Sequence, residues 1–337
     1  MNMPSVYTVM YFRKEEDMIV KLMLMLLALY SSIYAQSNTT VEWESHAKTP
    51  NEMYAGGFVS CDDALYSIGG GSNNGFLRST YKYEPTTNQW TQKASMQTKR
   101  MNTAFVSTNG KIHAIAGDSF LDVHEVYDPI KDEWSLLAPI PTNVQHVKGV
   151  AVNGKIYVMG GLETWSIVSN KNQVYDTKTD SWLEMASMPI GKHNYSSIVH
   201  DDNIYVFGGG VYDADGESIW GSNSSIEVYD TKTDTWDTIG NMPTSLFYGG
   251  IVVYGDEVII LGGFRDTDAP EARVDIFSLK THTWRKGLPL PKGIVALGAV
   301  EYNDQLYVSG GADSSQTWHT NRNLYQISIK ALLKNID

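Results

Sequence analysis

A tryptophan recurs along this chain at nearly constant spacing, and this period constrains the fold more than any other feature of the sequence. The spacing varies between 44 and 54 residues over the positions Trp43, Trp90, Trp134, Trp182, Trp236 and Trp284. An aromatic residue lies seven positions before five of these tryptophans, at Tyr83, Tyr127, Tyr175, Tyr229 and Phe277. A period of about 40–50 residues indicates a repeat protein, in which each supersecondary unit stacks on its neighbours to bury its faces.

A glycine pair follows a short apolar segment once in each unit. Five units carry it, at Gly69-Gly70, Gly160-Gly161, Gly208-Gly209, Gly262-Gly263 and Gly310-Gly311. The second unit has Ala116-Gly117 at the same place. Asn109-Gly110 and Asn153-Gly154 are typical of two-residue hairpin turns, and the repeated Asp-Thr-Lys-Thr-Asp segment is also turn chemistry. Each unit therefore predicts four short antiparallel strands.

The glycine pair, the spaced tyrosine and tryptophan, and the period together resemble the kelch repeat over residues 41–329. The resemblance implies an all-β fold, a six-bladed β-propeller of four-stranded antiparallel blades. The last unit has no tryptophan after it, whereas Trp43 precedes the first unit. We therefore expect the N-terminal strand to complete the last blade, which removes an exposed sheet edge. Residues 330–337 are then a C-terminal tail.

Residues 1–35 have the pattern of a targeting segment. The apolar run at 22–30 is too short to span a bilayer, follows Lys21, and is followed by small residues ending at Ala35. This pattern predicts a signal peptide, with Met18 as an alternative start and a retained signal anchor as the alternative interpretation. We expect an extracytoplasmic protein, secreted or periplasmic, whose mature chain begins near Gln36. It would contact a membrane only if this segment is retained.

Charge and cysteine content exclude several classes of site. The net charge of −12 argues against a nucleic-acid partner, which requires concentrated positive charge. A single cysteine, Cys61, allows neither an intramolecular disulfide nor a cysteine-based zinc site. Asp118, Asp122 and His124 form a loose D-x3-D-x-H pattern, but the alternation of Asp122 and His124 favours a strand edge. We expect a monomeric propeller with no cofactor, no metal site and no recognisable catalytic constellation.

The strand order places two kinds of segment at one end of the blades. These are the loops between the second and third strands, and the links that lead into each first strand. The three tryptophans outside the repeat lie in the first kind of loop, which also holds Glu163 and Arg265: Trp165, Trp220 and Trp318. Exposed aromatic rings favour a recognition face, although they could simply cover neighbouring loops.

The links to the first strands add polar and aromatic residues near the expected axis. Counting back from the second strand aligns Tyr54, Arg100, Asn102, His146, Lys192, His193, Asn194 and Tyr248. The kelch resemblance implies that this rim binds the partner. The alternative is that these side chains only cap strands and satisfy loop hydrogen bonds.

Two functions fit these residues. The first is an exported module that binds a protein or carbohydrate ligand through this face. The second is a sugar-processing enzyme, because the chain is also similar in fold, length and leader to the sialic-acid mutarotases, which are kelch proteins. Such an epimerase-like reaction needs an acid and a base across a sugar ring, and Glu163, His146, His193 and Arg100 could supply them. Arg100 or Lys192 would then pair with the carboxylate of the sugar.

Overall fold

The computed structural model describes residues 41–212, 221–265, 269–314 and 320–334, together with Met23 and Met25. The chain divides into two compact units, Met1–Glu42 and Trp43–Asp337. The predicted leader belongs to the first unit and lies almost entirely outside the described residues. Within the described ranges, no helix is both long enough and apolar enough to cross a membrane.

Six four-stranded antiparallel sheets form the six blades of a β-propeller, which confirms the predicted fold. The strands of each blade are given from the innermost to the outermost. The first three blades are, in order, blade 1 with Gly57–Cys61, Ala64–Ile68, Thr80–Glu84 and Gln89–Lys93; blade 2 with Ala104–Thr108, Lys111–Ile115, His124–Asp128 and Glu133–Leu136; and blade 3 with Lys148–Val152, Lys155–Met159, Asn172–Asp176 and Ser181–Met185. The last three are blade 4 with Ser196–His200, Asn203–Phe207, Ser225–Asp230 and Thr235–Asn241; blade 5 with Gly250–Tyr254, Glu257–Leu261, Val274–Ser278 and Trp284–Lys286; and blade 6 with Gly298–Tyr302, Gln305–Ser309, Leu324–Ser328 and Glu44–Ser45.

Three short hairpins and one short helix are added to the six blades. Three two-stranded hairpins lie in the loops between second and third strands: Gly71–Ser72 with Gly75–Phe76, Leu162–Thr164 with Ile167–Val168, and Gly210–Val211 with Gly221–Ser222. The helix Ile329–Lys334 follows the last strand directly and overlaps the predicted C-terminal tail, and it buries Ile329 and Leu332. The innermost strands of adjacent blades contact one another around the axis.

The N-terminal strand closes the propeller as predicted. Glu44 pairs with Gln326 and Ser45 with Tyr325, so this strand is the outermost strand of the sixth blade. The indole Nε1 of Trp43, directly before the strand, donates to the carbonyl oxygen of Pro289 at 2.8 Å. The closing strand therefore joins the two ends of the chain by ladder pairing and contacts the fifth blade through a side chain.

The core lies between successive blades, because each sheet packs a face against the next. The second residue of every second strand is completely buried, at Leu65, Ile112, Ile156, Ile204, Val258 and Leu306. The Asn-Gly turns predicted between first and second strands have positive φ at both central residues, such as 52° and 69° at Asn109 and Gly110. This conformation matches the twist of the adjoining strands.

The repeated tyrosine and tryptophan form a side-chain link between blades, which we call the interblade clamp. In the second blade, the Tyr127 hydroxyl donates to Asp132 Oδ1 at 2.7 Å. The same oxygen accepts the Ala94 N–H of the preceding blade at 2.8 Å, and Trp134 Nε1 donates to the Ala94 carbonyl at 2.9 Å. Both backbone polar groups of Ala94 are thus satisfied by the next blade.

The clamp recurs in three further blades and is altered in the fifth. In each, the tyrosine bonds to the second residue, and the second residue and the tryptophan bond to the backbone of an alanine in the preceding blade. The sets are Tyr83, Asn88 and Trp90 with Ala47; Tyr175, Asp180 and Trp182 with Ala138; and Tyr229, Asp234 and Trp236 with Ala186. In the fifth blade, Phe277 has no hydroxyl group, and His282 takes the place of the aspartate. The two rings stack instead, with centroids 5.8 Å apart.

Candidate functional site

A closed circle of backbone hydrogen bonds surrounds the propeller axis where the chain approaches each first strand. One residue per blade has a left-handed backbone, with φ between 50° and 59°: Ala55, Asn102, His146, Asn194, Tyr248 and Ala296. The N–H of each donates to the carbonyl oxygen of its equivalent in the preceding blade, at 2.9 to 3.1 Å. We call these six residues the axial ring. Because only main-chain atoms form the circle, the side chains at these positions are free to differ.

The glycine pairs form a second circle just outside the axial ring. The second glycine of each pair donates its N–H to a carbonyl of the next blade, at 2.7 to 3.1 Å. For example, the Gly161 N–H donates to the Lys192 carbonyl oxygen at 2.7 Å. Gly161 has a φ of 91°, and a Cβ there would lie 2.8 Å from the Gln145 carbonyl oxygen. A side chain is therefore excluded by both conformation and space. These contacts hold the two loop classes together at one end of the blades.

Four consecutive positions of the axial ring carry hydrogen-bonding side chains that meet at His146. Its Nε2 lies 3.4 Å from the Asn102 amide nitrogen. Its Nδ1 lies 2.9 Å from the Asn194 amide nitrogen and 2.8 Å from the Tyr248 hydroxyl. The Asn194 amide oxygen also lies 3.1 Å from Nδ1, so this nitrogen can donate or accept according to the tautomer of the ring. The Asn194 amide also lies 3.0 Å from His193 Nδ1, so the network extends one residue outward.

Asp118 adds a buried carboxylate to this network. Its Oδ1 accepts from Asn102 Nδ2 at 3.0 Å and lies 3.7 Å from His146 Nε2. It directly follows the glycine position of the second blade. The equivalent residues of the other blades are all nonpolar: Gly71, Leu162, Gly210, Phe264 and Ala312. In the sequence, Asp118 was noted only as part of the loose D-x3-D-x-H pattern. This alignment of the residues after the glycine pair is the signal that would have singled it out.

Burial shifts the pKa values of the ionisable groups in this network. Desolvation raises the pKa of Asp118 to about 6. Desolvation, together with neighbouring His193, lowers the pKa of His146 to about 4. Burial and the Asp118 charge raise the pKa of Tyr248 far above its usual range. At neutral pH the network therefore presents an ionised carboxylate, a neutral imidazole and a protonated phenol.

Aromatic rings form one side of this network. The Trp165 side chain is 62% exposed, and its ring lies 6.1 Å from that of His146 and 5.6 Å from that of Phe120. Phe120 and the preceding Ser119 have φ angles of 52° and 71°, a conformation that is strained for non-glycine residues. Strain of this kind is concentrated at functional sites and is held in place by surrounding packing. We refer to Asp118, the four polar ring residues and Trp165 as the axial site.

Two cations expected at the ligand face are instead buried within their blades. Arg100 is completely buried, is ion-paired with Glu125, and donates to the Val123 carbonyl at 2.9 Å. Lys192 is equally buried and is ion-paired with Glu227. The expectation that either cation pairs with a sugar carboxylate is therefore wrong in this structure. The physical reason is that a buried carboxylate on the third strand requires a partner charge.

Other predicted residues occupy different surroundings. Arg265 is buried, with its guanidinium 3.3 Å from Asp275. Glu163 is partly buried, accepts from Ser169 Oγ at 2.7 Å and lies 3.6 Å from Lys171. Its described contacts thus belong to its own loop. Trp220 and Trp318 lie outside the described residues.

Tyr54 and His193 lie beside the axial ring and bridge to the neighbouring loops. The Tyr54 backbone pairs with Gly71, and that of His193 pairs with Gly210. Burial, followed by the charge of Asp118, raises the pKa of the Tyr54 hydroxyl, which places this ring near the carboxylate. The His193 ring packs against Phe247 with centroids 5.4 Å apart.

The loose metal pattern does not assemble. His124 lies in the core, where its Nε2 is 2.9 Å from His113 Nδ1, whereas Asp118 faces the axial network. Across the described part of the chain, no three His, Cys, Asp or Glu side chains converge as metal ligands would.

A cavity of about 130 Å³ lies among the innermost strands of the blades. It is lined mostly by glycine and apolar residues, with Thr103, Lys148, Ser196 and Ser197 as its polar members. Burial lowers the pKa of Lys148, and its charge contributes to the lowered pKa of His146.

Comparisons with known proteins agree with this architecture. A family model described as the Attractin/LZTR1 beta-propeller matches residues 27–272. A solved structure described as “Structure of YjhT” superposes with a TM-score of 0.72 at 15% sequence identity, over 85% of this chain and 98% of that chain. No curated protein matches the sequence. At this identity the structural likeness shows the fold alone, since one fold hosts many functions.

Proposed function

The chain belongs to the Attractin/LZTR1 beta-propeller family, and we propose that it is a binding module whose carbohydrate ligand lies at the axial site. The observation that carries the proposal is the exposed Trp165 ring beside the hydrogen-bonding network of Asp118, Asn102 and His146. A sugar has hydroxyl groups at its edge and an apolar face of C–H bonds. A site that combines fixed polar groups with an aromatic ring matches both surfaces.

Burial of the network supports a small ligand over a flat protein partner. Asn102, His146, Asn194 and Asp118 are each less than 10% exposed, so a ligand must reach them through a concave surface. Small-molecule sites are concave and contain a few fixed polar groups.

A thermal-shift screen of the full chain against neutral, amino and acidic sugars tests this proposal. A ligand that binds only the folded state raises the melting temperature. We expect a shift that is abolished by Trp165→Ala. The matched control is Ile130→Ala, which also removes an exposed apolar side chain, 92% exposed, from the turn between third and fourth strands at the opposite end of the blades. Absence of any sugar-induced shift, or equal loss in both variants, would overturn the proposal.

A second function is favoured by one specific observation, the pKa of Asp118 near 6 beside the protonated Tyr248. Two groups whose environments set opposite protonation states can act as base and acid. Anomer exchange of a sugar requires such a pair, because the ring oxygen and the anomeric hydroxyl exchange a proton during ring opening and closure. This sugar mutarotase activity is the reaction expected from the resemblance noted in the sequence.

Proton NMR of anomer exchange separates catalysis from binding alone. We expect a mutarotase to accelerate exchange, and Asp118→Asn to slow it by about 100-fold or more, the usual contribution of a general base. Unchanged exchange rates in the presence of a sugar that binds would leave the binding function and reject the enzymatic one.

We also propose that the protein is exported, on the basis of the leader pattern at residues 1–35. The test is N-terminal sequencing of the protein from the extracytoplasmic fraction of an expressing cell. A new N-terminus near Gln36 is the expected result. Recovery of the uncleaved chain only from the cytoplasm would contradict export, and recovery of the uncleaved chain from membranes would indicate a retained anchor.

A further inference from the structure

The axial site also indicates the charge of its ligand. We propose that it binds a sugar bearing a protonated amine, with the ammonium group paired to Asp118. This inference rests on the proposed carbohydrate-binding function and adds the chemical class of the sugar.

The first argument is the position of Asp118. Among the six residues that directly follow the glycine positions, it alone is ionisable. The side chain is 5% exposed, and Oδ1 already accepts from Asn102. Oδ2 has no hydrogen-bond donor among the described residues, yet it is not sealed from solvent. A buried carboxylate is strongly disfavoured unless it is paired, so one oxygen without a donor favours a cationic or strongly donating ligand.

The second argument is the aromatic surroundings of that carboxylate. Tyr54 and Tyr248 lie close enough for the charge of Asp118 to raise the pKa of both hydroxyls. Trp165 contacts the ring of His146, which itself lies 3.7 Å from Asp118. The faces of tyrosine and tryptophan carry negative potential and attract ammonium groups, most strongly where water is excluded. A carboxylate among such rings is suited to an ammonium group and unsuited to a second carboxylate.

The third argument is the location of the cations. Arg100, Lys192 and Arg265 are each held by a buried carboxylate in their own blades. Lys148 lines the cavity among the innermost strands, and its charge reaches His146. Among the described residues, however, no lysine or arginine is ion-paired with Asp118. An acidic sugar in contact with Asp118 would therefore meet a like charge, which is repelled.

Titration calorimetry with matched hexoses tests the inference on the full chain. The ligands are glucosamine, N-acetylglucosamine, glucose and glucuronic acid, which differ in charge on a common ring. At about pH 7 we expect glucosamine to bind about tenfold or more tightly than glucose, as for a charge-assisted hydrogen bond. Glucuronic acid should bind more weakly than glucose.

The pH dependence provides a second measurement. The pKa of Asp118 near 6 means that its ionised fraction falls about tenfold between about pH 7 and about pH 5. Glucosamine affinity should fall by about that factor, while glucose affinity changes little. Among the described residues, Asp118 faces His146, Tyr54 and Tyr248, and the charges of His193 and Lys148 act on His146 in turn. Burial lowers the pKa of His146 to about 4 and raises the pKa values of Tyr54 and Tyr248, so these three groups keep their protonation states in this range.

Asp118→Asn separates the two levels of the proposal. It keeps an oxygen for Asn102 and should abolish the preference for glucosamine over glucose, because the affinity for glucosamine falls much more than the affinity for glucose. The control Asp237→Asn makes the same charge change on the outermost strand of the fourth blade and should keep the preference. Equal affinity of the wild type for glucosamine and glucose, or tightest binding of glucuronic acid, would overturn the amine inference while the sugar-binding function stands. Failure of all four sugars to bind would overturn both.

Discussion

The axial ring and the interblade clamp join the same neighbouring blades by opposite means. The ring uses main-chain groups, so its six positions carry alanine, asparagine, histidine or tyrosine on an unchanged backbone. The clamp uses side chains, and it keeps the same tyrosine, aspartate and tryptophan in the second, third and fourth blades. In this repeat protein, constant side chains therefore mark positions of stability. Variation on a constant backbone marks the positions where a ligand site can be built.

Removing a clamp tryptophan should give the largest effect on stability. Trp134→Ala deletes a side chain that is 8% exposed, together with its hydrogen bond to Ala94. We expect the free energy of unfolding to fall by about 3–5 kcal/mol, measured by urea denaturation. Trp165→Ala is the comparison at the axial site, and its exposed ring should cost less than about 1 kcal/mol. Similar losses in both variants would contradict the division between clamp and site.

Acidification should give the second-largest loss in the free energy of unfolding, through the clamp region of the second and third blades. Burial, followed by Lys111, lowers the pKa of His113 to about 4, and burial, followed by His113, lowers that of His124 to about 3. His124 also packs edge-on against the clamp ring of Tyr175, at 4.5 Å. Between about pH 6.5 and about pH 4, the unfolded chain binds more protons than the folded protein at these sites. The free energy of unfolding should therefore fall as pH falls through this window.

The variant His124→Gln keeps a hydrogen-bonding side chain but removes one titration. We expect its free energy of unfolding to depend less on pH, by about 2 kcal/mol across this window. Urea denaturation at several pH values makes the measurement. Parallel pH profiles for the variant and the wild type would show that the pair is not responsible for acid lability.

Asp118→Asn should raise the free energy of unfolding, whereas the clamp variants lower it. The pKa of Asp118 is higher in the folded protein than in the unfolded chain, so its ionisation costs stability as pH rises through about 6. The neutral amide should raise the free energy of unfolding by about 1–2 kcal/mol near pH 8, with little difference near pH 4. Thermal melts at the two pH values provide the check. A destabilised variant at pH 8 would indicate that the carboxylate serves the fold rather than a ligand.

Restoring the clamp of the fifth blade should give the smallest effect. Phe277→Tyr combined with His282→Asp supplies the hydroxyl and the carboxylate present in the second, third and fourth blades. One added hydrogen bond at a partly buried position should contribute about 0.5–1 kcal/mol. The single change Phe277→Tyr is the control, since its hydroxyl lacks the carboxylate. If the double variant unfolds at the same denaturant concentration as the single one, the pair does not form at this blade.

The sequence was sufficient to predict the fold because the determinants are local and repeated. The glycine pair, the tyrosine and the tryptophan each recur in fixed register, and the displaced Trp43 indicated how the sheet closes. The same counting aligned Asn102, His146, Asn194 and Tyr248, because equivalent positions of a propeller share one ring.

The partners of buried charges could not be read from the chain in the same way. Arg100 and Lys192 lie two residues before ring positions, but their side chains turn into the blade toward Glu125 and Glu227. Those carboxylates lie 25 and 35 residues away on third strands. Only the pairing of strands brings them together, so a sequence pattern that finds a position near the axis does not reveal which way its charge faces.

The circle of peptide groups around the axis has an electrostatic consequence. All six hydrogen bonds run in the same sense from blade to blade, so their dipoles point around the circle rather than along the axis or across it. Equal dipoles arranged in this way cancel at the centre, although each peptide unit carries a dipole of about 3.5 D. The circle of hydrogen bonds therefore contributes little to the field on the axis. The potential at the proposed ligand site is then set mainly by side chains, and above all by the Asp118 carboxylate.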